Sequence, residues 1–274
     1  METEPQKTQL SLPMAIVLAG IIIGGAVFFS RGGGQMADTS LLPSSVVADS
    51  EPQEINIRKI DSSDHLLGNP NARITMVEFS DLECPFCKDY DVKLNLLMDQ
   101  YGKNGDLAWV YRHFPLDIHP KSPKESEAAE CAFDQGGDPA FWDFVTRVFK
   151  VTPSNNGLDP AQLPKIAGDM KLDVAKFNAC LANGDNADVV KKDFEDGLNA
   201  NVNGTPNTVF VLSTPLIASS EAKLLEINQT FLRQSPPGTP NILVIDKTKT
   251  KIQISGDLNM AALKQFIDLA LKKS

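Results

Sequence analysis

The sequence predicts an α/β domain whose sheet is interrupted by an all-helical insertion, preceded by an N-terminal transmembrane helix. Three observations lead there. Leu12–Phe29 is a run of 18 residues without a charge. Two apolar, β-branched segments, "RITMVEFS" and "DLAWVYRHF", enclose a stretch with helical periodicity. From about residue 120 to 200 helix starts recur with almost no strand signal, and β segments return only afterwards.

Residues 1–11 form a short polar tail ahead of the apolar run. As a helix, residues 12–29 reach about 27 Å, just enough for a bilayer core of about 30 Å. Ser30, Arg31 and three glycines follow, which fits an uncleaved anchor better than a signal peptidase site. Glu2, Glu4 and Lys7 against a lone Arg31 leave the orientation open. Residues 30–53 are rich in Gly, Ser, Pro, Asp and Ala without periodicity, the composition of a tether.

The folded region is expected over 54–274. Its composition, 42% apolar and 22% charged, suits a globular domain with a real core. The net charge of −9 is spread along the chain, which argues against nucleic acid as a partner. "RITMVEFS" reads as a central strand. Cys84 to Tyr101 reads as a helix, with Phe86, Tyr90, Leu94, Leu97, Met98 and Tyr101 at spacings of three and four and Gly102 just past its end. With "DLAWVYRHF" it makes a βαβ unit.

In the helical block, Ser122-Pro123-Lys124-Glu125 has the residues of a capping box with Pro at the first helical position. Asp138-Pro139, Asp159-Pro160 and Asp173 mark further starts. The strands "NTVFVL", "NILVID" and "KIQIS" and a helix over 259–273 close the chain. The aromatic group Phe141, Trp142, Phe144 and Phe149 reads as core, and His113 and His119 as strand-end and loop residues rather than ligands.

Chemistry concentrates at Cys84-Pro85-Phe86-Cys87, at the start of the predicted helix. The first turn leaves backbone N–H groups unpaired and carries partial positive charge, so a thiolate at Cys84 is stabilised. Cys87, three residues on, can face it and close a small ring, while Pro85 stiffens the turn. Phe86 is expected to stand exposed beside the sulfur. A zinc site lacks two further ligands at suitable spacing among Cys131, Cys180, His65, His113 and His119, so no metal is expected. A static disulfide in so short a ring would restrain little of the unfolded chain. A redox dithiol is the favoured reading.

The string "VEFSDLECPFCK" resembles the active-site segment of the DsbA family of thiol–disulfide oxidoreductases. "RHFPLDIHP", "EAAECAFDQG…FWDF", "FNACL" and "NGTPNTVFV" follow in that family's order. The resemblance covers about 54–274 and implies a thioredoxin-like fold with a helical insertion at about 120–200. It implies a nucleophilic, solvent-facing Cys84, a buried resolving Cys87, and Glu78 as a buried acid that relays protons. Pro206 is similar to the family's cis-proline, with Thr205 before it facing the disulfide. Phe86, Thr205 and Pro206 would then contact substrate. It also implies exported or unfolded protein substrates with cysteines, a quinone-linked membrane reoxidant, a catalytic domain on the extracytoplasmic side of the cell membrane, and no cofactor. Cys131 and Cys180 are either small core hydrophobes or a structural disulfide of the kind some family members resemble.

Three departures from the pattern matter. The dipeptide is Pro-Phe, where the family's strongest oxidants carry Pro-His. Loss of an imidazole donor, with Asp81 and Glu83 nearby, is expected to raise the thiol pKa and weaken oxidising power. An extra insert over 213–240 contains the candidate helix "SEAKLLEINQTFLRQ". A second Gly-Thr-Pro-Asn makes Pro240 a rival to Pro206. A disulfide reductase or isomerase, and an anchored non-catalytic binding module of thioredoxin fold, remain the alternative functions.

Overall fold

The strand expected around Ile74 lies inside the sheet, and all seven of its residues are buried, Thr75, Glu78 and Ser80 among them. A computed structural model describes residues 54–234 and 242–272. The expected tail, anchor and linker (1–53) lie outside those residues, and so does Pro240. Among the described residues no helix is long and apolar enough to cross a membrane.

The sheet has six strands: β1 (His65–Gly68), β2 (Ile74–Ser80), β3 (Leu107–His113), β4 (Asn207–Leu212), β5 (Leu243–Ile245) and β6 (Lys251–Ser255). They lie side by side in the order β1-β3-β2-β4-β6-β5. Only β2 and β3 run parallel, in register from Ile74 opposite Leu107 to Ser80 opposite His113. They are joined through helix α1 (Pro85–Leu97), the predicted βαβ unit. β1 was not predicted; it is four residues long and gains its order by pairing antiparallel with β3.

The helix expected to continue to Tyr101 changes character at Met98. Met98–Gly102 form a π-helical turn instead. Met98 and Tyr101 both stay buried there, and the Met98 methyl fills the space beside Gly68 and Gly102. A Cβ on either glycine would stand within 3 Å of it, at 2.9 and 2.7 Å.

The insertion between β3 and β4 comprises α2 (Ser122–Val151), α3 (Gln162–Asp169), α4 (Val174–Asn183) and α5 (Ala187–Asn199). Gly137, at φ 64°, breaks α2 into two segments, and the second restarts at Asp138-Pro139 as the sequence suggests. Asp173 caps α4, accepting from the N–H groups of Ala175 and Lys176. The capping box expected at Ser122 does not form. Lys121 occupies the cap position, and the Ser122 hydroxyl is buried without a partner. Glu125 turns into the protein interior instead of back along its own helix. In the extra insert the predicted helix is present as α6 (Ala218–Gln234). α7 (Met260–Ala270) ends the fold, capped by Asn259.

Two apolar layers flank the sheet. One joins Tyr90, Leu94, Trp109, Phe144, Phe210 and Phe266, and continues into the insertion through Phe177. The other contains Val77, Phe79, Val110, Phe114 and Val202. Gly197 allows α5 to touch this second layer, since a Cβ there would meet Phe114 at 2.5 Å and Phe79 at 3.0 Å. Buried charges tie the same contact together. Arg112, at the end of β3, donates to Asp64 (2.9 Å) and to Asp196 on α5 (2.6 Å). Arg58 bridges Asp64 and Asp193. On α2, Glu130 receives both His65 and His113 at 2.9 Å. Against the cost of burial, those two imidazoles hold the Glu130 carboxyl down at about 2.

Cys131 on α2 and Cys180 on α4 form a disulfide with their Cα atoms 6.0 Å apart, so the second of the two readings left open for them holds. The bridge closes a loop of 49 residues. Replacing both cysteines by alanine is expected to lower unfolding free energy by about 2–4 kcal/mol. A urea titration checks this; an unchanged midpoint would mean that helix packing alone fixes α2 against α4.

Candidate active site

Cys84 is the N-cap of α1, with φ −78° and ψ 122°, and Pro85 occupies the first helical position. The preceding turn is closed by the Cys84 N–H donating to the Asp81 carbonyl (3.1 Å). The backbone N–H groups of Phe86 and Cys87 are thereby left to interact with the Cys84 sulfur. Cys87, one turn further along, is fully buried, and both cysteines are free thiols in this structure.

Their environments drive the two thiols apart. The Cys87 thiol donates to Cys84 and is the largest influence lowering it. Thr205 and the backbone amides of Phe86 and Cys87 add to that against the cost of burial, and Cys84 settles at about 6. Burial, and then the charge of Cys84, push Cys87 well above an ordinary thiol. At neutral pH the pair is thus a thiolate held by a protonated neighbour.

The expected push of Asp81 and Glu83 on Cys84 is corrected by their hydrogen bonds. Asp81 is wholly buried and accepts from the Glu83 N–H (2.8 Å), the Leu116 N–H (2.8 Å) and the His119 imidazole (2.8 Å). Glu83 accepts from the N–H groups of Gly157 and Leu158. Both carboxylates are occupied by donors away from the sulfur, and Cys84 stays low.

The expected solvent-facing position of Cys84 is also corrected: the residue is only 3% exposed. The loop at Thr205-Pro206 lies over it, with the Thr205 carbonyl oxygen 3.4 Å from Sγ. The Thr205–Pro206 peptide bond is cis, as the sequence position implied for Pro206. Phe86, by contrast, is 60% exposed and gives the site an open apolar rim.

Glu78 lies on β2 beneath α1 and is 1% exposed. Trp109 Nε1 donates to its Oε2 (3.0 Å), while Oε1 has no partner. Burial pushes its carboxyl up to about 8, with Asp91 adding to the push and Ser80 and Trp109 opposing it. A carboxyl balanced near neutrality beneath a thiol can take or give a proton.

The structure places the predicted Cys84, Cys87 and Thr205 in contact, with Glu78 buried beneath them, Pro206 in the cis peptide that follows Thr205, and Phe86 exposed on the rim. Sequence reasoning missed Asp91, buried on α1 and raised by burial to about 6. It also missed Glu125, read as a helix cap; a glutamate in an otherwise small-residue, apolar helix face was the available signal. Among the described residues no group of His, Cys, Asp or Glu could hold a metal ion.

The described fold and this dithiol fit one family, and the family's sequence model, described as thioredoxin, matches residues 61–225. The chain belongs to the thioredoxin family. Among solved structures, those similar to it include DsbA proteins. DsbA2 of Pseudomonas aeruginosa is 25% identical with a TM-score of 0.54, covering 77% of this chain and 96% of its own. The α-DsbA1 of Wolbachia pipientis superposes with a TM-score of 0.56 at 22% identity, over 77% of this chain and 92% of its own. Among curated proteins, the Na(+)/H(+) antiporter NhaA 3 of Salinispora tropica is 34% identical over 149 residues, 54% of this chain. That match spans 21% of the antiporter's length, so the chain corresponds to about a fifth of this relative.

Alkylation of reduced protein by iodoacetamide is expected to rise with pH as the Cys84 thiolate forms, with its midpoint near 6. The Cys87→Ala variant loses the strongest donor, so its midpoint should move upward. Absorbance of the thiolate at 240 nm across pH 4–9 gives both values, and equal midpoints would remove Cys87 as the stabilising donor.

Proposed function

We propose that this protein is a membrane-tethered, extracytoplasmic oxidoreductase that introduces or exchanges disulfides in exported proteins. The low Cys84 thiol beside a protonated Cys87 carries the reading. A thiolate stabilised in the reduced form makes the Cys84–Cys87 disulfide the more oxidising, which favours donation of the bond to a client. The Cys131–Cys180 disulfide supports an oxidising compartment, and the uncharged run at 12–29 supports a tether.

In the forward cycle a client thiolate attacks Sγ of Cys84 in the oxidised protein, breaking the Cys84–Cys87 bond and releasing a Cys87 thiolate. Glu78, near 8, is the group placed to protonate it. The client's second thiolate then attacks its own sulfur in the mixed disulfide. The client leaves oxidised, and both electrons remain on the enzyme as the Cys84 thiolate and Cys87 thiol. A quinone-linked membrane partner would take those electrons and restore the disulfide. Phe86 offers the client an apolar rim, and Thr205 and Pro206 face the sulfur that is attacked.

A Cys87→Ala protein expressed in its host should accumulate mixed disulfides through Cys84, released by dithiothreitol and absent when Cys84 is also replaced. Clean absence of adducts from the single variant would point to a non-catalytic binding module. The equilibrium with glutathione decides direction: a reduction potential near that of thioredoxin would exclude the oxidase role.

A further inference from the structure

Cys84 is 3% exposed because the Thr205–Pro206 loop lies over it, with the Thr205 carbonyl oxygen 3.4 Å from Sγ. In its reactive form the sulfur is an anion with no proton to donate, and a carbonyl oxygen facing an anion is repelled rather than attracted. What keeps this loop closed must therefore act from elsewhere in the fold.

The loop is tied to the end of β6. Gly256, just after that strand, donates its N–H to the Pro206 carbonyl (2.9 Å). Asn207 Nδ2 donates to Ser255 Oγ (2.9 Å), and Gln253 Nε2 donates to Asn207 Oδ1 (3.0 Å). Gly256 has φ 92° and nothing within 4 Å of the place a Cβ would take, so backbone conformation, not space, calls for glycine here. The next residue, Asp257, accepts from Lys93 Nζ at both carboxylate oxygens (2.5 and 2.7 Å). Lys93 belongs to α1, the helix that begins at Cys84. Two consecutive residues thus hold Pro206 on one side and the catalytic helix on the other. Tyr90, three positions earlier on α1, meets Thr208 Oγ1 at 3.1 Å, but both residues are fully buried. The ion pair, at 24% and 14% exposure, keeps partial access to water. Of these two links it is the one that opens without unpacking the core.

We propose that the Lys93–Asp257 pair is a latch that, through Gly256, holds the Thr205–Pro206 loop over Cys84, and that a client reaches the sulfur when the latch opens. Lys93 and Asp257 are then positioning residues for thiol–disulfide exchange, since neither touches the sulfur. The inference rests on Cys84 being the reacting thiol of the proposed oxidoreductase. An ion pair with partial access to water contributes modestly, so its removal multiplies the open population by about two- to fivefold. Such a cover stays shut at rest and still yields to a bound peptide.

Alkylation by iodoacetamide, an uncharged reagent, is to be followed across the Cys84 titration for reduced wild type, Lys93→Gln and Lys93→Arg. All three should share the midpoint near 6, because access to the thiolate changes and its acidity does not. Above that midpoint the plateau rate of Lys93→Gln should be about two- to fivefold higher, and Lys93→Arg, which restores the pair, should return to the wild-type rate. Potassium chloride at about 1 M should raise the wild-type plateau and leave that of Lys93→Gln in place. Equal plateaus, or a moved midpoint with an unchanged plateau, would overturn the latch. Amide hydrogen exchange of Gly256 in the oxidised proteins gives a reading that needs no reactive thiol. It should quicken in Lys93→Gln by the same factor while the β2 amides keep their rates. An unchanged Gly256, or equal quickening throughout β2, would overturn the latch even if Cys84 proves fully active. A quickened Gly256 with an inert Cys84 would overturn only the oxidoreductase reading.

Discussion

A sulfur at the mouth of a helix is stabilised as an anion by peptide N–H groups that have no other partner, and here a second thiol donates to the same sulfur. The rest of the site is arranged around that anion. Pro85 removes an N–H that the helix start does not need, and the two amides after it interact with Sγ. Thr205 covers it, so charge on Cys84 is held by fixed dipoles where bulk water has little access. Beneath the pair, Glu78 sits in a dry layer with Trp109 and Tyr111, where burial, aided by the charges of Asp91 and Cys84, shifts its carboxyl toward neutrality. A low thiol above and a raised acid below are two responses to one condition, exclusion of water, with opposite sign because only the sulfur is given enough donors.

Burial of Cys84 sets a physical limit on how a partner reaches it. The Thr205 carbonyl lies 3.4 Å from the sulfur, and once Cys84 is a thiolate it has no S–H to donate there, so little in that contact holds this loop against the sulfur. Phe86 then supplies what the covered sulfur lacks, an exposed apolar contact next to the reactive atom.

Much of this was legible because its physics is local. The βαβ unit, the helical block and the caps at Asp173 and Asn259 follow from patterns within a few residues of themselves. Cys84, Cys87 and Pro206 were legible through spacing and through the family resemblance that the matches support. What could not be read depends on partners far away in sequence. β1 is only a strand because β3 lies beside it. Ser122 and Glu125 satisfy every local rule for a capping box, yet Glu125 is buried in the interior, away from its own cap. Asp81 and Glu83 looked like unshielded charges near a thiol until Leu116, His119, Gly157 and Leu158 supplied their donors. The resemblance placed Thr205 facing the sulfur, but not that the loop would leave Cys84 only 3% exposed.

The strand order has a bearing on how the chain is made. β2 pairs on one side with β3, which leaves the ribosome soon after it, and on the other with β4. Between Ser80 and Asn207 lies the whole helical insertion. While that insertion is being synthesised, β2 presents an unpaired, mainly apolar edge, the kind of template on which nascent chains stick to one another. The hazard ends when β4 docks.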